Sequence, residues 1–415
     1  MLVDGTIHSP SEPHAEAMFV QDGVIAWIGS PETAGRLADS QHIRQELDRA
    51  LVTPAFVGRM ERALDEVTAE EVTAALDGVA GLGWGVLRLV LSLPVTELLE
   101  KPHQTRSHLI EALEAAVWHP LVVYPAVRLT GFDAGQHGGA GGPGTLVSEA
   151  MRMLSGVDDT AGSPVSMELD LAELGGTTRQ ERTDRLAGVS AAVARGSRQL
   201  LLDVTQVPPQ DVTATVTAVR RQLRERSATP RPDLPTVLVG FDSAVPEDWE
   251  ALIGSATHVM LLAPGNLGCA LSVGIPTSVA PPETASPWRL VAAHAHHPEK
   301  AVSVRAAFNA QTRGAHRSLP GTGPGGAGLV GAGLGGQLDH GAPATFAVWE
   351  VESLAVQAPD SRTAAWSTDI RARTPLLPYI EQDHESGRLP QLRATVVGGV
   401  EVHGTADAPG SRRAQ

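Results

Sequence analysis

A chain of 415 residues with 42% hydrophobic and 19% charged residues can bury one large core or two smaller ones, which counts against global disorder. Its net charge of −15 repels phosphate backbones and anionic lipid, so neither nucleic acid nor a membrane surface is expected as a partner. A single cysteine, Cys269, excludes intrachain disulfides and thiolate metal clusters, and "LGCAL" reads as a small buried residue. Only two of the 32 basic residues are lysines, Lys101 before Pro102 and Lys300 before Ala301, so there is no phosphate-cradling G-K-[ST] loop. The arginine-rich, Ala- and Gly-rich composition points to a GC-rich bacterial genome. The start "MLVDGTIHSP" has neither a basic nor an apolar secretion region, and "WGVLRLVLSLPV" is too short and carries Arg88, so no membrane insertion and a cytoplasmic location are expected.

The first 50 residues have β character. "MLVDGTI" forms a short strand, and Asp22-Gly23 turns a hairpin within "AMFVQDGVIAWIG". A polar, helix-compatible piece follows over Pro31–Asp48. From Leu51 short apolar runs alternate with amphipathic stretches. The strands predicted are Leu51–Val57, Val86–Ser92, Leu121–Val127, Val165–Leu171, Gln199–Val204, Thr236–Phe241, His258–Leu262 and Ile275–Val279. The helices between them include Ala69–Ala80, Gln104–Ala116, Thr178–Arg195, Gln210–Arg224 and Pro246–Ile253. Apolar strands alternating with helices predict an α/β parallel sheet, and eight of them a (β/α)8 TIM-like barrel. Two glycine-rich stretches, Gly131–Gly144 and Gly321–Gly336, are predicted as flexible loops. Gly321, Gly323 and Gly326 match a dinucleotide fingerprint in form, but they follow no strand and open no helix. After Gly341, "PATFAVWEV" and "RATVVGGVEVHG" are again strand material. The predicted organisation is a composite β domain from 1–50 and 341–405, a barrel over 51–320, a glycine-rich loop over 321–340 and a flexible tail over 406–415.

The stretches "GTIHSP", "VQDGVIAWIG", "ALVTPAFV", "SVRAAFNAQTRGAHRSL" and "GAPATFAVWEV" resemble the amidohydrolase superfamily, closest to its amidohydrolase family 3 branch. The resemblance implies a metal-bearing barrel with a small β-sandwich, hydrolysing C–N bonds other than peptides. It also implies an Asp-x-His-x-His stretch after the first strand. The matching residues here are Gly58, Arg59, Met60, Glu61 and Arg62, with Met60 and Arg62 in the two histidine places. A thioether is a poor ligand for a hard divalent ion, and a guanidinium has no lone pair to give. At the last strand the family's Ser-Asp-Ala-Pro corresponds to Ser278-Val279-Ala280-Pro281, so Val279 replaces a ligand and general base. No lysine lies near the fourth strand, where the family often carries one that is carboxylated. The fifth and sixth strands end on Asp203 and on Phe241-Asp242 where the family has histidines.

These departures predict a pseudoenzyme with no metal expected at Met60, Arg62 and Val279, binding a small-molecule ligand or a protein partner, and they are compatible with a homo-oligomer. Two other readings stay open. One is a hydrolase with a rebuilt site using Asp203 and Asp242 together with Glu61 or Asp170 and, if active, a divalent metal such as zinc. The other is a scaffold subunit of a hetero-complex. Glu168, Asp170, Asp203 and Asp242 either converge at the barrel mouth or act as helix caps and loop acids. His294, His296 and His297 are expected at a solvated helix end, His258 as a structural residue, and Asn309–Arg317 as packing between barrel and small domain.

Overall fold

A computed structural model describes residues 1–37, 43–132, 143–155, 157–158, 164–176, 178–225, 233–280, 283–321, 335–357, 366–367, 374–382 and 388–404. Most of Gly131–Gly144, Gly323 and Gly326, Pro281 and the 406–415 tail lie outside these residues.

Eight parallel strands form one sheet in chain order: Phe56–Ala63, Trp84–Pro94, Val122–Thr130, Ser166–Asp170, Leu200–Asp203, Thr236–Val239, Thr257–Leu261 and Thr277–Val279. Each pairs in parallel with the next, and helices fill the connections, as in a TIM-like barrel. The side chains alternate along every strand. Met60, Leu89, Leu129, Leu169, Leu202 and Leu261 point to the helices and join one large apolar core. Between the first and last strands no ladder forms among the described residues. The seam is bridged instead by Glu283, whose Oε1 accepts from the Glu61 amide at 3.1 Å and whose Oε2 accepts from Arg62 at 2.8 Å.

The ends of the chain build a second body. Val24–Gly29, Ala17–Gln21, Leu2–Val3 and Gln45–Glu46 form one sheet. Thr6–Ile7, Leu51–Pro54, Phe346–Glu350, Gln391–Val397 and Val400–Gly404 form another. Residues of both, including Met18, Ile25, Val52, Phe346 and Val396, share a core.

The predicted strand Leu51–Val57 is therefore two strands. Leu51–Pro54 pairs antiparallel with Phe346–Trp349 of the small domain, and the barrel strand begins at Phe56. The Thr53-Pro54-Ala55 link changes partner because its apolar run serves two cores, which an apolar pattern alone does not separate. The Pro31–Asp48 piece is helical only to Leu37, and Gln45–Glu46 is a strand. Cys269 is half-buried at the core edge rather than inside it.

Aromatic residues are 4% of the chain, yet four of them weld the two bodies together. Phe56 meets Trp288, Phe308 and Trp349 edge-on at 5.3, 5.5 and 5.9 Å, and Trp288 stacks on Phe308 at 5.5 Å. The Trp349 indole donates to the Thr53 hydroxyl at 2.9 Å.

Candidate functional site

The inward-facing residues at the C-terminal ends of the first, third, fourth and fifth barrel strands are charged. Arg59 and Glu61 rise from the first strand, Arg128 from the third, Glu168 and Asp170 from the fourth, and Asp203 from the fifth. Arg59 donates to Glu168 at 2.6 Å and to Glu61 at 2.9 Å. Arg128 stands among four carboxylates: Asp203 at 2.8 Å, Glu168 at 3.2 Å, Glu61 at 3.6 Å and Asp170 at 3.8 Å. The Glu168 side chain is fully buried, those of Arg59, Arg128, Asp170 and Asp203 are nearly so, and Glu61 reaches the rim.

Burial and neighbouring charge compete in the titration of these groups. It pushes the Glu168 carboxyl above the usual range, against the pull of Arg59 and Arg128. Burial acts to lower Arg59 and Arg128, but their carboxylate neighbours outweigh it and hold both guanidiniums more firmly charged than usual. One carboxylate oxygen of Glu168, Oε2, and Arg59 Nε have no hydrogen-bond partner.

Below this layer lies Arg88, 1% exposed. It donates to Gln199 Oε1 at 2.9 Å and to the Ser318 carbonyl at 2.7 Å, and Gln199 donates to the same carbonyl at 2.8 Å. Burial lowers Arg88 to about 10. Val57, Val86, Tyr124, Ala315 and Leu319 then close the lumen. The segment expected to pack barrel against small domain is thus split. Val304–Gln311 faces the small domain, where Arg305 donates to the Pro375 carbonyl at 3.0 Å, while Ala315 to Leu319 plug the barrel floor.

Of the residues singled out from the sequence, Asp170 and Asp203 come together on Arg128. Asp170 also accepts from the Ala172 amide at 2.7 Å, and Asp203 from the Thr205 amide at 3.0 Å and hydroxyl at 2.6 Å, so each doubles as a turn acid. Asp242 does not join them. Its carboxylate accepts from the Leu262 and Ala263 amides at 2.9–3.2 Å. Met60 is fully buried against the helices, Val279 likewise lies in the outer core, and Arg62 is held at the seam by Glu283. Gly58 faces Trp84 so closely that a Cβ there would come within 1.8 Å of the indole ring. His294 is 1% exposed, not solvated, and its Nε2 is unpartnered. His296 bonds the Ile380 carbonyl at 3.0 Å, so the three histidines do not converge. Among the described residues no group of three or more His, Cys, Asp or Glu is placed to hold a metal ion.

Arg59, Arg88 and Arg128 are the lumen residues whose role the sequence did not reveal. For two of them a signal was present: Arg88 and Arg128 are each a lone charge inside an apolar run, in "GVLRLVLS" and "PAVRLTG", whereas Arg59 sits among Glu61 and Arg62.

The chain has the amidohydrolase fold. It superposes on triazine hydrolase from Arthobacter aurescens with a TM-score of 0.62 at 13% identity, over 96% of this chain and 93% of that one. An adenosine deaminase from Xanthomonas campestris with bound zinc gives 0.60 at 10% identity over 96% and 93%. E. coli guanine deaminase gives 0.59 at 13% identity over 97% of both chains. No protein-family model matches the sequence. No curated protein matches it either. Among the described residues no helix is long and apolar enough to cross a membrane.

Proposed function

We propose that this chain is an amidohydrolase-superfamily protein that does not activate water through a metal and acts instead by binding. The observation that carries this reading is Arg128, whose guanidinium lies within 4 Å of Glu61, Glu168, Asp170 and Asp203. Those oxygens are the hard donors available to a divalent cation at the mouth, and a fixed positive charge already stands among them. The lumen donor set therefore does not fit such an ion. Gly58 and Met60 face the helices rather than the lumen, so the first strand contributes Arg59 and Glu61 to the mouth, and neither is an imidazole. A cytoplasmic setting accords with the single cysteine.

The convergence of Asp170 and Asp203 favours one rival, a hydrolase working through a rebuilt carboxylate pair. Metal analysis separates the two. Protein equilibrated with zinc, manganese or iron and then dialysed is expected to keep far less than one ion per chain and to hydrolyse no C–N substrate. Stoichiometric retention that disappears in Asp203→Asn, together with hydrolysis lost on stripping, would overturn the proposal.

A further inference from the structure

The far end of the barrel holds a second cavity, of about 1200 Å³, beside the N-terminal ends of the sixth, seventh and eighth strands, where Pro235, Ala256 and Pro276 lead in. Val216, Val219, Ile253, Leu271 and Ile275 supply apolar wall, and Ile253 and Leu271 are 59% and 45% exposed. Four arginines line it, Arg220, Arg305, Arg313 and Arg317, and among the described lining residues there is no carboxylate. In a chain of net charge −15 this is a local reversal of sign. Arg313 and Arg317 stand four residues apart, on one side of their helical turn.

A second observation comes from His258, which lines the cavity. It is 2% exposed, and its Nε2 has no hydrogen-bond partner. Arg220 Nη1 is likewise buried and unpartnered. Burial, with the nearby Arg88 and Arg317 charges, holds His258 at about 3, so the imidazole is neutral at physiological pH and is a hydrogen-bonding group rather than a cation. An unpaired buried polar atom is costly, and a ligand oxygen would satisfy it.

We propose that this cavity binds an amphipathic monocarboxylate, with the carboxylate between Arg317 and His258 and the tail along Val216, Val219 and Ile253. Guanidiniums without competing acids match the head, and the apolar wall matches the chain. The site lies at the opposite end of the barrel from the mouth and does not rest on the reading given for it.

Calorimetric titration of the full chain with decanoate, decanol, decylammonium and inorganic phosphate tests this. Decanoate is expected to saturate one site, with decanol and decylammonium at least roughly tenfold weaker. Arg317→Gln, at an exposed position, is expected to weaken decanoate about tenfold and leave decanol unchanged, and His258→Leu to do the same. If His258→Leu fails to fold, Arg317→Gln alone decides. No saturable decanoate binding, decanol as tight as decanoate, phosphate alone as tight as decanoate, or an unaltered Arg317→Gln would each overturn the proposal.

Discussion

The two ends of the barrel handle charge in opposite ways. At the mouth, Arg59 and Arg128 are ion-paired with Glu61, Glu168, Asp170 and Asp203, so each charge has a counter-charge inside the protein even though Glu168 Oε2 and Arg59 Nε lack a hydrogen-bond partner. At the floor, arginines line an apolar cavity with no acid among the described lining residues, and a buried imidazole is left unpaired. Both ends hang on the same eight strands, so the fold does not dictate the difference. The inward residues do. A lumen whose charges are internally matched is built for rigidity, whereas one with unmatched charge is built for a guest.

Acid should break the comparison most severely. Burial holds His258 at about 3 and His8 and His294 at about 4, below the ordinary 6.5. Between pH 6.5 and 4 the unfolded chain takes up protons that these folded imidazoles refuse. Their contribution to stability is therefore complete above pH 6.5 and is lost as the pH falls, by up to roughly 1.4 kcal/mol per pH unit for each histidine. Glu168 at the mouth has the opposite sign. Its raised carboxyl binds a proton in the folded state first and so acts against the histidines. Urea midpoints measured from pH 7 to pH 4 should fall steeply, and a flat profile would contradict the burial assigned to these groups.

Next in size is Arg128→Met, which leaves Asp203 and the fully buried Glu168 short of a counter-charge. The expected loss is about 3–5 kcal/mol in denaturant unfolding, and a loss under about 1 kcal/mol would mean the mouth is not held by this hub. Gly58→Ala should cost about 1–3 kcal/mol by forcing Trp84 aside. A double-mutant cycle with Trp84→Ala should return most of that cost, and additive effects would rule the contact out.

The alternation of strands and helices was legible because every barrel strand turns Leu, Val or Met outward into one core, an apolar period that survives any register. Both halves of the small domain were legible for a similar reason. The mouth was not. Arg59 meets Glu168 across 109 positions of sequence, and only the parallel register of four strands brings them together. Asp170 and Asp203 were singled out because acids follow strands. Asp242 met the same local criterion, yet it serves the Leu262 and Ala263 amides, and no pattern in the chain distinguishes these fates. The Leu51–Val57 run shows the converse limit: two strands of different domains abut there without a break in hydrophobicity.

The smallest expected effect concerns the seam. Glu283→Ala removes a contact whose side chains are about a third exposed, so global stability should change by less than about 1 kcal/mol. Hydrogen exchange at the Glu61 amide should nevertheless accelerate in that variant, because its acceptor is gone. Unchanged protection there would mean that something other than Glu283 fastens the edge.

A side-chain fastening has a mechanical consequence. A cylinder sewn shut by backbone bonds can widen only by tearing them, but this one is a curled ribbon held by a clasp. Its two edges can part at the mouth without breaking a strand ladder, so the bore at this point is a soft coordinate, and breathing of the ring is expected to begin between Glu61 and Glu283.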